Sequence, residues 1–410
     1  MKGPSSVEVI QVSLDFGKGK IPVGRLARRQ GTIYFAYESD FLERGLEISP
    51  FHLPLKPGVS AFDRFLFEGL PGVFHDSLPD GWGRLLLDRY VRSQGADPKL
   101  LTALDRLSWV GKQGLGALVY EPGIALGYGQ EPLDLDLVAS AVQQVLEGTA
   151  EDVLEQLLSL GGSSAGARPK ALVNVSQSKK NIIHGLGTPS QGFAPWLVKF
   201  PTRDDGLDAG AIEYVYALMA KDAGVEMPHV HLFPAHHGPG YFATMRFDRD
   251  GDSRFHMHTA AGLLHTDFRT PALDYQDLLA LTFHLTRDIR EVEKMYRLAV
   301  FNVLAHNRDD HAKNFSFLMN EQGEWKFAPA YDLTFSFGVG GEQSTMVMGE
   351  GRYPQAEHLL KLGIHANLGK PQSARIIEQT QAALGSWAGL ARQYGVADAS
   401  IQRIAKEIGP

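Results

Sequence analysis

The sequence predicts an α+β protein: a β-rich N-terminal part, a second β-containing lobe and a mostly helical C-terminal lobe. Three observations carry this. Alternating apolar and polar residues, rich in β-branched and aromatic side chains, dominate residues 8–55. Shorter strand-like runs near 170–175, 196–200 and 229–247 are interleaved with helical periodicity. From Leu278 onward the pattern is helical, apart from one hairpin-like stretch near 315–328. At 410 residues the chain is long for one core, so two or three domains or lobes are expected.

Taken in order, Val7–Leu14, Val23–Ala27 and Thr32–Tyr37 read as strands, with turn signals at Gly17, Gly19 and Gly31. Phe51–Leu55 and Pro57-Gly58 end that sheet. The run Phe74–Gly81 leads into a helix over Gly83–Val91, a second helix over Leu101–Val110 and a strand over Leu115–Tyr120. Residues 1–125 therefore form a first unit. Around 130–135 the chain turns polar and contains proline. Leu137–Leu160 then reads as a helical stretch, with apolar positions Val138, Ala141, Val142, Val145, Val153, Leu157 and Leu158. A Gly/Ser/Ala turn precedes strands over Lys170–Val175 and Trp196–Phe200, and Ala211–Gly224 reads as a helix with a glycine C-cap. Residues 126–250 make a second unit and 251–410 a third. In the third, Met295–Leu304 is apolar enough for a buried helix. Phe315–Met319 and Trp325–Ala328 read as hairpin arms around an Asn320–Gly323 turn. No internal repeat or low-complexity region is present.

Composition narrows the chemistry. Hydrophobic residues make up 44% and charged residues 21%, as in an ordinary soluble globular protein. Net charge is −7 and the pI is near 6.1, which argues against a surface built throughout for nucleic acid and leaves room for a local basic patch. The chain has no cysteine, so disulfides, thiol nucleophiles and Cys-ligated metal sites are excluded. No apolar run of about 18 residues exists, and the first residues lack the apolar core of a signal peptide, so no membrane association and a cytoplasmic location are expected.

The most informative stretch is Asn307-Arg308-Asp309-Asp310-His311-Ala312-Lys313-Asn314, followed by Tyr331-Asp332-Leu333. Asp309 stands 5 residues before Asn314, and Asp332 follows 18 residues later. Protein kinases use this arrangement: one Asp orients and deprotonates the substrate hydroxyl, while an Asn and a later Asp hold Mg2+ against ATP phosphates. Mg2+ prefers a few hard oxygen ligands plus phosphate oxygens, so the set is chemically sufficient. Turn-forming Asp and Asn residues that bond their own backbone are the plainer alternative.

Three further segments fit a nucleotide. Gly161–Lys170 is a small-residue loop whose amides could approach a phosphate; it lacks Walker A spacing and could equally be a surface turn. Lys199 lies inside the apolar run Trp196–Pro201, where an ammonium needs a partner or water; ATP phosphate, Glu213 and solvent are the candidates. Met245–Arg249 ends an apolar strand and could offer backbone groups to adenine, or form a structural cluster of Arg246, Asp248 and Arg249.

Together with Val23-Gly-Arg-Leu26, Leu53-Pro-Leu55, Phe74-His-Asp-Ser-Leu-Pro-Asp80 and Gly114-Leu-Gly-Ala117, these segments resemble the HipA family of serine/threonine kinases, the toxins of type II toxin–antitoxin pairs. The resemblance spans most of the chain. It implies a bilobal fold related to protein and phosphoinositide kinases, with ATP and Mg2+ between the lobes. It implies Asp309 as catalytic base, Asn314 and Asp332 as metal ligands, and Lys199 at phosphate. Ala165, Gly166, Ala167, Arg168, Pro169 and Lys170 would cover the nucleotide. Met245 and Phe247 would meet adenine, and His311, Lys313 and Tyr331 would line the site. Ser163 matches the serine that family members autophosphorylate to silence themselves, with Ser164 as a second candidate. The implied partners are a HipB-like helix-turn-helix antitoxin, operator DNA mainly through that antitoxin, and a protein substrate such as an aminoacyl-tRNA synthetase.

The chain also departs from the family. Met245 replaces an often acidic hinge residue, and Arg168-Pro169 replaces the Gln-Glu pair of one well-known member. Two rival readings are a pseudokinase corepressor and a metal-dependent phosphohydrolase built on Asp309, Asp310, His311 and Asp332.

Overall fold

The computed structural model describes residues 6–124, 131–149, 153–161, 166–185, 187, 189–267 and 273–409. Its first sheet is antiparallel, built from β1 (Val9–Asp15), β2 (Lys20–Arg29), β3 (Thr32–Tyr37), β4 (Val59–Ala61) and β5 (Leu118–Glu121) in the order β4-β3-β2-β1-β5. The alternation seen in the sequence sets the faces: Ile10, Val12 and Leu14 of β1 are fully buried. Gln30 and Gly31 both have positive φ between paired Arg29 and Thr32, the geometry of a tight hairpin turn matched to strand twist. The helices predicted after this sheet form over Gly81–Ser93 and Ala103–Val110. The second is held by a reciprocal cap between Thr102 and Asp105.

A second antiparallel sheet contains β6 (Lys170–Ser176), β7 (Ile182–His184), β8 (Phe193–Lys199), β9 (Val230–Phe233) and β10 (Tyr241–Met245), ordered β7-β6-β8-β10-β9. On one face Ala171, Val173, Val175, Trp196 and Val198 pack with apolar residues of the helices Leu135–Glu147 and Leu154–Gly161. Strand pairing places Lys170 opposite Lys199 and Leu172 opposite Leu197 on the other face. That face roofs the cleft. The expected stretch Leu137–Leu160 is two helices, because Gly148 adopts a left-handed conformation (φ 79°) and caps the first. The helix after β8, Ala209–Asp222, carries Glu213.

The third part is helical around a small antiparallel sheet of His256–Thr259, Ser316–Met319 and Trp325–Phe327. Asn320–Gly323 makes the expected turn, closed by Gly323 N–H to Asn320 O at 3.1 Å. Helices Ile289–Leu304, Ala356–His365, Lys370–Leu384, Trp387–Gln393 and Asp398–Ile408 surround it. The mostly helical expectation fails over 328–355, which holds one short 3-10 turn and two strand residues.

Among the described residues two apolar cores form. One runs from β1 through Val73, Phe74 and Leu78 to Met295, Phe301, Phe315 and Trp387. The other joins the second sheet to Trp82, Leu86, Leu87 and Val91. The segment 73–91 thus belongs to both, so the N-terminal part is packed against each lobe. Each fully buried Leu or Val contributes roughly 1.5–3 kcal/mol, which makes this junction a stable one. Among the described residues no helix is long and apolar enough to cross a membrane.

Candidate active site

The candidate catalytic segment, 307–314, follows the helix Ile289–Leu304. Asp309 is exposed and Asp310 is fully buried, because successive side chains of the extended segment diverge. Asn314 closes the loop: its Nδ2 donates to the Asp309 carbonyl at 2.7 Å and its N–H to His311 O at 2.8 Å. With the amide nitrogen used this way, Oδ1 is the group left for a cation. Although Asp309 is open to solvent, the surrounding cleft partly desolvates its carboxyl and pushes it up, and Asp332 adds to this while His311 and Arg168 oppose it.

Asp310 supports the loop from beneath. It accepts hydrogen bonds from Tyr275 Oη at 2.6 Å, Ser344 N at 2.9 Å and Thr345 N at 3.3 Å. Tyr275 Oη accepts from Asn302, which accepts from Asn307. Burial raises the Asp310 carboxyl to about 7, despite these hydrogen bonds. A hydrolase site that needs Asp310 beside Asp309, His311 and Asp332 is therefore not assembled.

The second arm of the hairpin delivers Asp332, held at φ 57°. Asp tolerates this left-handed region better than most residues, and such conformations concentrate at functional sites. Asp332 pairs with Lys199 Nζ, and Glu213 pairs with the same ammonium. One cation thus sits between two carboxylates. Burial disfavours the charged form of all three. Asp332 nevertheless stays well below the usual carboxylate range, because Lys199, Lys170 and Arg168 surround it. Glu213 is pushed up by burial and by Asp332, with Lys199 offsetting only part. Lys199 is held above its ordinary value, since Asp332 and Glu213 outweigh its burial.

In the loop over the cleft, Arg168 pairs with Asp205 at 3.2 Å. Burial opposes its charge, but Glu213, Asp205, Asp332 and Asp309 hold the guanidinium protonated. Lys170 is buried, and its ammonium is pushed down by burial and by Lys199, with Asp332 compensating in part. Pro169 is buried and accepts from Phe200 N at 2.9 Å, while Ala167 is exposed. Ser163, Ser164 and Ala165 lie outside the described residues.

At the expected hinge, Met245 N–H donates to His229 O at 2.8 Å. A contact from Met245 to a base would have to use its carbonyl or side chain. Phe247 lies against Tyr331, ring centres 5.5 Å apart, and Tyr331 Oη is 2.6 Å from both Lys313 O and Ser316 Oγ. Arg246, Asp248 and Arg249 form a structural cluster. Asp248 takes Arg246 Nη2 at 2.7 Å, Arg249 Nη1 at 2.6 Å and Gly116 N at 2.7 Å, which pins the hinge to the N-terminal part. Lys313 pairs with Asp80 at 2.5 Å.

Sequence reasoning misses the N-terminal acids. Asp76 accepts from Thr259 N at 2.7 Å and Thr259 Oγ1 at 2.8 Å, and lies 2.6 Å from His258 Nδ1. Asp76 and Asp80 both stand in Phe74–Asp80, a run that the family resemblance marks without giving either acid a role.

Asp309, Asn314 and Asp332 present hard oxygen donors at the cleft, and this donor set fits Mg2+. Among the described residues no three His, Asp or Glu side chains converge as a complete metal site. An ion that completes its shell with phosphate oxygens needs no such group.

Fold and site together define a bilobal, kinase-like protein with an added N-terminal part. Residues 15–121 match the HipA N-terminal domain and residues 162–388 the HipA-like C-terminal domain. The chain belongs to the HipA family. Its fold is similar to that in the Shewanella oneidensis MR-1 toxin–antitoxin complex of HipA, HipB and operator DNA, with 16% identity, TM-score 0.70, and 97% of this chain and 95% of that chain covered. A weaker likeness, at 12% identity and TM-score 0.34, links 52% of this chain to 87% of the Helicobacter pylori proinflammatory kinase CtkA. No curated protein sequence matches.

Proposed function

We propose that this protein is an ATP- and Mg2+-dependent serine/threonine kinase toxin. The observation that carries the reading is the convergence of Lys199, Glu213 and Asp332 in the cleft that Asp309 and Asn314 border. Asp309 would orient the acceptor hydroxyl and take its proton as the γ-phosphoryl moves from ATP. Lys199 would balance phosphate charge, with Glu213 fixing the ammonium in place. Arg168 and Lys170 would add positive charge from above. Asn314 and Asp332 would hold Mg2+, which when bound neutralises phosphate charge. Catalysis would rest on positioning and fixed electrostatics.

The expected acceptor is a serine of a cytoplasmic protein, with an aminoacyl-tRNA synthetase as the candidate. Autophosphorylation at Ser163, or at Ser164, would silence the enzyme by adding about two negative charges beside those of ATP. A HipB-like antitoxin would be the partner and would carry most of the contact with operator DNA. The proposed domain division is 1–125, 126–250 and 251–410.

Incubation with Mg–ATP, followed by intact mass and phosphopeptide mapping, tests the reading. A gain of one phosphate on Ser163 or Ser164, absent in Asp309→Gln, supports it. Mg–ATP binding with no transfer to the protein itself or to any lysate protein would favour the pseudokinase corepressor.

A further inference from the structure

Asp80 precedes the helix Gly81–Ser93 in the N-cap position, where an Asp side chain ordinarily bonds the first helical amides. Here it makes no cap bond. Its two oxygens go elsewhere: Oδ1 accepts from Gly166 N, and Oδ2 pairs with Lys313 Nζ at 2.5 Å. One carboxylate therefore joins the loop over the cleft to the catalytic segment on the opposite lobe.

The Trp82 contacts reinforce the tie. Trp82 N donates to Gly166 O at 3.1 Å, and Trp82 Nε1 donates to Lys170 O at 3.2 Å. Both ends of 166–170 are thus fastened to the N-terminal part. Gly81 (φ 43°) makes room for this contact. A Cβ there would stand 2.7 Å from Gly166 O and 2.8 Å from Ala167 N, closer than real packing allows. The anchor itself is firm, since Val73, Phe74 and Leu78 lie in one core and Trp82, Leu86 and Leu87 in the other. The Asp80 carboxylate also keeps its charge, because Lys313, the Gly166 amide and Lys170 overcome the effect of burial.

We propose that Asp80 is a positioning residue through which the N-terminal part holds the loop 166–170 closed against the catalytic segment, and so sets nucleotide affinity. The effect on affinity rests on the kinase reading above; the clamp itself does not. A ligand or partner that moved the N-terminal part would then act on the cleft through this carboxylate.

The test uses the full chain, Asp80→Asn and Asp80→Glu, with amide hydrogen exchange and Mg–ATP titration. Asp80→Asn should raise exchange in peptides covering 82 and 166–170, leave β1–β3 protected, and weaken Mg–ATP binding about tenfold, as for loss of a charge-assisted bond. Asp80→Glu should recover much of both. Unchanged exchange at 166–170 overturns the clamp. Faster exchange with unchanged Mg–ATP affinity overturns the positioning role. Faster exchange with no Mg–ATP binding by any protein, including the parent, upholds the clamp and removes the kinase reading instead. Loss of β1–β3 protection in Asp80→Asn, not recovered in Asp80→Glu, would make Asp80 a folding residue and also overturn the proposal.

Discussion

Lys199 and Asp332 stand 133 residues apart in the chain and share an ion pair at the heart of the cleft. Glu213 holds the same ammonium. Removing one member of a buried ionic group leaves the others uncompensated, at about 3–5 kcal/mol. Lys199→Met should therefore lower stability near pH 7 by roughly 3 kcal/mol and, on the proposed kinase function, abolish transfer. The deficit should shrink as pH falls and the orphaned carboxylates protonate. Urea unfolding at pH 5 and pH 7 checks this; an equal loss at both would contradict the charge argument.

As the proposed base, Asp309 would act only when ionised, and desolvation by the cleft walls and Asp332 raise its carboxyl above the ordinary Asp value. The rate should accordingly fall on the acid side through a pKa higher than that of a free Asp. Arg168 opposes the shift, so Arg168→Gln should move the acid limb to higher pH besides weakening Mg–ATP use. A pH profile of kcat/KM reads both effects. A limb that stays put, or moves down, would remove Arg168 from the field at Asp309.

Asp76 makes the second tie between the N-terminal part and the helical lobe. His258 and Thr259 hold its carboxyl below the ordinary range although burial pushes it up. A depressed carboxylate stabilises the fold above the unfolded pKa, near 4, and loses that contribution as pH falls through the folded value. Asp76→Ala should cost about 3 kcal/mol near pH 7, since His258 Nδ1 and Thr259 N–H would lose their buried partner. The gap from the parent should close below about pH 4. Denaturant melts across that range measure it.

The legible parts of this molecule are those coded locally. Asp309, Asn314 and Asp332 lie within one helix–hairpin unit, so their spacing alone brings them to one cleft. The alternation of β1 and the turn at Gly31 are likewise short-range signals. Other features escape for physical reasons. Leu137–Leu160 keeps its apolar period across a break that Gly148 makes through backbone conformation, not polarity. Ile182–His184 is too short to show a period, and pairing with β6 makes it a strand. Asp80 meets Lys313 across 233 residues, and nothing in the chain near either marks the other. Glu213 is a candidate partner of Lys199 from sequence because it follows on the next helix; that Asp332 also joins them is a tertiary fact with no local signal.

Asp310 yields the most distinctive stability prediction. Its carboxyl is raised to about 7 by full burial, above an unfolded value near 4. A raised carboxyl stabilises the fold fully below the unfolded pKa, and the contribution is lost as pH rises through the folded pKa. Wild-type stability should thus carry a component that falls between about pH 4 and pH 7, on the order of a few kcal/mol. Asp310→Asn keeps an oxygen for the Ser344 and Thr345 amides but cannot ionise, so this component should vanish. The amide would face the Tyr275 hydroxyl, which must then turn and accept, so some stability is lost at low pH where the parent is neutral. Because Ser344 also donates to Arg308 O at 2.9 Å, loosening this contact should disturb the segment that carries Asp309 and lower the rate without raising the KM for Mg–ATP. Chemical denaturation from pH 4 to pH 8, compared between parent and Asp310→Asn, decides it: parallel curves would mean that Asp310 titrates as an ordinary carboxylate and supports the loop by shape alone.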